Sequence, residues 1–75
     1  MNYNFPPRFI VERIREQHPK GARVELVSMD DPYTKLQPGD QGTVIAVDDI
    51  GTVHIAWDNG SSLGAAYGAD HIRRI

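Results

Sequence analysis

The chain has 75 residues, of which 40% are hydrophobic and 24% charged, with a formal net charge of −2 and no cysteine. One small domain is all that this length accommodates. The absence of cysteine excludes a disulfide staple, a thiolate nucleophile and a thiolate zinc ligand. No apolar run approaches the roughly 20 residues of a membrane helix, and MNYNFPPRF lacks the basic start and apolar stretch of a signal peptide, so the expectation is a cytoplasmic domain with no membrane association.

Along the chain, PPRFIVERIREQH reads as a helix. Pro6 and Pro7 suit a first turn. Phe9, Ile10, Val11 and Ile14 form one apolar stripe, Arg8 and Glu12 make an i,i+4 pair, and Pro19 and Gly21 end the element. With about three turns it needs a surface to pack on. Residues 1–20 are thus an N-terminal segment holding an amphipathic helix.

From Ala22 the period changes to that of strands. RVELV sets Val24 and Leu26 on one face and Arg23 and Glu25 on the other. SMDDPYTKLQPGDQ is a long loop in which Pro38-Gly39 favours a type II turn. TVIAV, TVHIAW and SLGAA follow as strands. The turn Asp48-Asp49-Ile50-Gly51 requires glycine in the left-handed position, so that Val47 faces Val53 and Ile45 faces Ile55. Val44 is then left on the other face, which implies either a bulge in the second strand or cover from the helix. For WDNGSSLG, a three-residue loop with Gly60 left-handed pairs Trp57 with Ser61 and Ile55 with Leu63, and places Ile55, Trp57 and Leu63 on one face. Trp57 is accordingly a core residue, and its polar neighbours are turn formers. Ile72 and Ile75 are spaced for one tight helical turn leading into a last short strand. Several short strands joined by tight turns predict a small all-β sandwich or barrel.

The segments GARVELVSMDDPYTKLQPGDQGTV, VDDIGTVHIAWDNGSSLG and YGADHIRRI resemble the family catalogued as domain of unknown function 4314, short bacterial proteins of phages and integrative elements, over roughly Val11 to Ile75. That family carries no established activity, so the resemblance implies an SH3-like barrel and little more. Gly39 to Val44 and Trp57 to Gly60 are also similar to the G-x-x-G-T-V and W-D-N-G segments of the mind-bomb/HERC2 domain, an SH3-like peptide binder whose extra aromatic residues this chain lacks. The fold these readings predict is mainly β: an SH3-like five-stranded small barrel over residues 21–75 with one N-terminal α-helix.

Ser28, Ser61 and Ser62 and the three histidines lack a nucleophile-elbow context, so no catalytic residue is assigned. Asp30-Asp31 and Asp48-Asp49 follow no calcium-loop pattern, and no metal or cofactor is expected. Barrels of this type recognise extended segments beside the first long loop. On that analogy a peptide or protein partner would meet Met29, Asp30, Asp31, Tyr33 and Leu36, with Tyr67 nearby. The alternative is nucleic acid. Residues 1–24 carry five basic against two acidic side chains, and residues 25–75 carry three against eight. Arg8, Arg13, Arg15, Lys20 and Arg23 would then form a basic arm, although the remaining acidic surface repels phosphates. Phe5, Phe9 and Ile10 could also support a weak homo-oligomer in place of a monomer.

Overall fold

A computed structural model describes residues 5–31 and 33–75; residues 1–4, which begin the N-terminal segment, and Pro32 of the long loop lie outside the described residues. The element order is α1 (Arg8–Gln17), β1 (Arg23–Ser28), β2 (Gln41–Val47), β3 (Val53–Trp57) and β4 (His71–Arg74). The strands form one antiparallel sheet in the order β3-β2-β1-β4. Alternation sends Val24 and Leu26 of β1, Val44 of β2 and Val53, Ile55 and Trp57 of β3 to the same side. These join Ala22, Leu36 and Ala65 as the core. Among the described residues, no helix is long and apolar enough to cross a membrane.

The helix starts after Pro7, which stands at its N-cap in extended conformation. The N–H groups of Ile10 and Val11 both donate to the Pro7 carbonyl. Only part of the expected stripe is used: Val11 is buried and Ile14 packs on the core, while Phe9 points to solvent. Arg8 and Glu12 pair at 3.3 Å.

The expected five-stranded closed barrel does not form. The segment SLGAA contributes a single bridge, Ala65 to Val53, and the four-stranded sheet stays open. The cause lies in who holds the backbone of this segment. Ser61 N–H donates to Asn59 Oδ1, Leu63 N–H to Ser61 Oγ and Ala66 N–H to Asp70 Oδ2. The Leu63 carbonyl accepts the Trp57 indole N–H at 2.7 Å. In the expected register Leu63 would face Ile55, so side chains take both its N–H and its carbonyl where a ladder would need them. The expected register survives at both ends, because Trp57 N–H donates to the Ser61 carbonyl and Val53 and Ala65 exchange both bonds. Leu63, between them, faces outward and does not join the core as expected.

Two further expectations are corrected. A bulge between Val44 and Ala46 pairs Val44, not Ile45, with Ile55. Ile45 is the extra residue and is exposed, so Val44 needs no cover from a second face. The single helical turn lies before the last strand, where Ala69 and Asp70 both donate to the Ala66 carbonyl, and Ile72 belongs to β4.

Gly51 and Gly60 have φ of +82° and +93°, as the turns require. Gly60→Ala meets open space and should cost about 1–2 kcal/mol through backbone strain alone. Gly51→Ala should cost more, since its Cβ would lie 3.0 Å from Pro6 Cγ and 3.2 Å from Ile14 Cδ1. Trp57→Ala, which empties a core site, should lose about 3–5 kcal/mol and leave the chain unfolded in a denaturant titration. Equal losses at the two glycines, or a folded Trp57→Ala chain, would contradict these assignments.

Candidate functional site

Three of the recesses around the sheet bear on the expected contact residues. The first, about 510 Å³, separates the long loop from the turn after β3 and is lined by Asp31, Tyr33 and Lys35 on one side and Asn59, Ser62 and Leu63 on the other. The second, about 580 Å³, runs between the N-terminal segment and the turn before β4, with Phe5, Pro6, Ile50, Ala66 and Tyr67 in its walls. The third, about 320 Å³, lies in the open seam between Val53 and Ala65 on one side and Ile72 on the other, with Ile14, His18 and Tyr67 also lining it.

The long loop is stitched by its own polar residues. Asp31 Oδ1 accepts Tyr33 N–H, Thr34 Oγ1 accepts Leu36 N–H and Asp40 Oδ2 accepts Gln37 N–H. These bonds are the Asx and ST turns that such residues favour. Leu36 drops into the core and Met29 packs against it, so neither presents much surface. Tyr33 is 92% exposed. Asp30 is tied by its N–H to Asp70 Oδ1 at 2.8 Å. Asp70 also holds Ala66 N–H through Oδ2, so one carboxylate binds the base of the loop to the turn that carries Tyr67. Yet Tyr33 and Tyr67 line different recesses. The structure thus separates the six expected contact residues into two core-facing ones, two beside the loop–hairpin cleft or its base and two exposed tyrosines on different recesses.

Apart from Tyr67, the second recess draws on residues that the sequence reading used otherwise. Ile50 is the tip of the β2–β3 turn, Phe5 and Pro6 precede the helix, and Tyr67 opens the turn before β4. They meet because Gly51 lies between Pro6, Ile14 and Tyr67 with no side chain of its own. Phe5, Ile50 and Tyr67 remain 62%, 42% and 47% exposed. A glycine in a turn next to a large apolar residue was the available signal for a close approach.

Three of the five expected basic-arm residues are paired. Arg8 bonds Glu12, Arg15 reaches Asp49 at 2.7 Å and Arg23 grips both Asp58 oxygens. Arg23 also donates to Thr43 Oγ1. Its hydrogen bond holds the Asp58 carboxyl below the ordinary carboxylate range and raises the guanidinium in turn. Arg13 and Lys20 are exposed. No group of three or more His, Asp or Glu side chains among the described residues could hold a metal ion.

Asp48 organises the β2–β3 turn. Its Oδ1 accepts the N–H groups of Ile50 and Thr52, and its Oδ2 accepts His54 Nε2–H at 2.9 Å. Burial pushes the carboxyl up, but the bonds from His54, Thr52 and Ile50 outweigh it and hold it below its ordinary value of 3.8. A lowered folded value means that Asp48 contributes stability above the unfolded value and loses it as pH falls through the folded one. Asp48→Asn should therefore be less stable than the native chain at neutral pH, and the gap should close as pH drops below the ordinary carboxylate value. Denaturant titration across acid pH checks this; a gap independent of pH would show that the carboxylate charge is irrelevant to the turn.

No curated protein matches the chain in sequence. A family model described as a domain of unknown function, DUF4314, matches residues 8–75. The match takes in the helix, all four strands and the turns that shape the recesses, so the chain belongs to the DUF4314 family.

Proposed function

We propose that the chain is a non-enzymatic interaction module that binds an extended segment of a protein partner in the groove bounded by Pro6, Ile50 and Tyr67. The observation that carries this reading is the group of exposed apolar side chains, Phe5, Ile50 and Tyr67, around one recess of about 580 Å³. Clustered exposed apolar surface marks interaction sites more often than scattered residues do. Tyrosine adds a polar tip to a large apolar area, which suits a contact that is open to water when unoccupied. The proline ring of Pro6 has little conformational freedom to lose, and Gly51 lies against Pro6, Ile14 and Tyr67. Ordering little on binding leaves more of the interaction energy as affinity.

The nucleic-acid alternative has less support. Arg8, Arg15 and Arg23 already face carboxylates, so phosphate would compete with Glu12, Asp49 and Asp58. Catalysis likewise has little to draw on: among the described residues the histidine ring bonds go to the Ile14 carbonyl and to Asp48, and none joins a serine hydroxyl to a histidine.

Selection of a random-peptide library on the native chain, followed by affinity measurement on variants, tests the reading. Selected peptides should bind Tyr67→Ala at least roughly tenfold more weakly, a loss of about 1.4 kcal/mol, and bind Tyr33→Ala unchanged. Equal affinity for Tyr67→Ala would remove the groove from consideration. Steeply salt-dependent binding of short DNA, with no peptide selected, would favour the basic-arm alternative.

A further inference from the structure

The turn after β3 carries chemistry of its own. Asn2 and Asn4 precede bulky aromatic residues, and only Asn59 precedes a glycine. A following glycine leaves the next backbone nitrogen unhindered, so that nitrogen can act as a nucleophile toward the asparagine side chain. Asn59 and Gly60 are exposed, and nothing lies within 4 Å of where a Gly60 Cβ would stand. Water therefore reaches both. In the folded hairpin, however, the two reacting groups are engaged. Gly60 N–H donates to the Trp57 carbonyl at 2.9 Å, and Asn59 Oδ1 accepts Ser61 N–H at 2.9 Å. Attack on the side chain requires Gly60 N to give up its proton, and the Trp57 carbonyl holds that proton.

We propose that Asn59 is a modification site gated by the fold: it converts to aspartate and isoaspartate when the hairpin opens, and the isoaspartate form cannot rebuild the native turn. In the reaction Gly60 N bonds to Asn59 Cγ, the Cγ–Nδ2 bond breaks, and ammonia leaves with the proton from Gly60 N. Water then opens the cyclic imide. Breaking the bond from Gly60 N to Cγ gives aspartate, and breaking its bond to the main-chain carbonyl carbon of residue 59 gives isoaspartate. Nothing is oxidised or reduced. The two products differ in what they do to the turn. Aspartate keeps the main chain, and its carboxylate can still accept Ser61 N–H. Isoaspartate lengthens the main chain by the Cβ methylene. That extra atom falls inside the loop closed by Trp57 N–H on the Ser61 carbonyl and, within it, by Gly60 N–H on the Trp57 carbonyl. The same loop brings the Leu63 carbonyl to the indole N–H of the buried Trp57 at 2.7 Å. Modification thus converts a transient local opening into a lasting defect beside the core.

Mass spectrometry of the full chain incubated at neutral pH follows conversion at Asn59, with the capped peptide WDNGSS as the open reference. The folded chain should react at least roughly tenfold more slowly than the peptide. The slowing should match the hydrogen-exchange protection of the Gly60 amide within about threefold, because both processes need the same N–H released. Equal rates in chain and peptide would overturn the proposal, as would a slowing unrelated to Gly60 protection. The products are compared through the single tryptophan. Asn59→Asp should keep the emission of a buried indole and the native resistance to denaturant. A chain synthesised with isoaspartate at position 59 should unfold at lower denaturant and show the emission of a more exposed indole. Native emission and native stability in that chain would contradict the claim about the turn. Equal losses in Asn59→Asp would do the same, since the added charge and not the longer main chain would then be the cause.

Discussion

The arrangement of this small protein depends on the turn between β2 and β3. Asp48 accepts two backbone N–H groups and a histidine ring N–H, which ties the turn together from within. Gly51, left-handed and buried, ends it and leaves no side chain. That absence lets Pro6, Ile14 and Tyr67 meet over the turn. Helix position, the wall of the apolar groove and the outward aim of Ile50 all follow from four consecutive residues. A helix of 10 residues is marginal alone, so its docking here, together with the bond from Arg74 to the Gln17 carbonyl at its far end, matters to the whole.

The second constraint is the competition for backbone groups after Trp57. The indole N–H must be satisfied once the ring is buried, and the nearest acceptor is the Leu63 carbonyl. Asn59, Ser61 and Asp70 claim N–H groups of the same stretch. The sheet therefore ends at β3 apart from one bridge, and a seam opens between Ala65 and Ile72. The interior remains satisfied, with no orphaned buried side-chain N or O atom among the described residues. What is lost is closure, and what remains is an edge.

Local chemistry made much of the fold legible. Alternation in RVELV and TVHIAW identified the buried faces. Asp48 and Gly51, and Asn59 and Gly60, identified turns and their handedness, and from these followed the facing of Val47 with Val53 and of Trp57 with Ser61, but not that of Ile55. The bulge at Ile45 was legible only as one of two alternatives, because a period-2 pattern cannot say which strand absorbs an extra residue. Closure was misread because SLGAA has strand-like composition, and only the three-dimensional arrangement shows that side chains already hold its peptide groups. The site was less legible for a similar reason. Leu36 and Tyr33 are three residues apart in one loop, yet one is core and the other is almost fully exposed. The groove assembles Phe5, Ile50 and Tyr67 from three separate turns or segments, and nothing in sequence spacing relates them.

Charge is distributed in the same internal manner. The basic N-terminal third and the acidic remainder look, as a linear string, like an arm and its repelling body. In the fold, Arg15 reaches Asp49 and Arg23 reaches Asp58 across more than thirty positions of sequence. Each such exposed pair contributes little stability, so their effect is chiefly on what the surface offers. They join helix to turn and β1 to hairpin end, and they leave fewer cations for an anionic polymer. A surface neutralised in this way exerts little long-range attraction, and what it offers instead is shape and apolar area. The apolar area is gathered at the recess beside Tyr67, where Phe5 and Ile50 are also exposed.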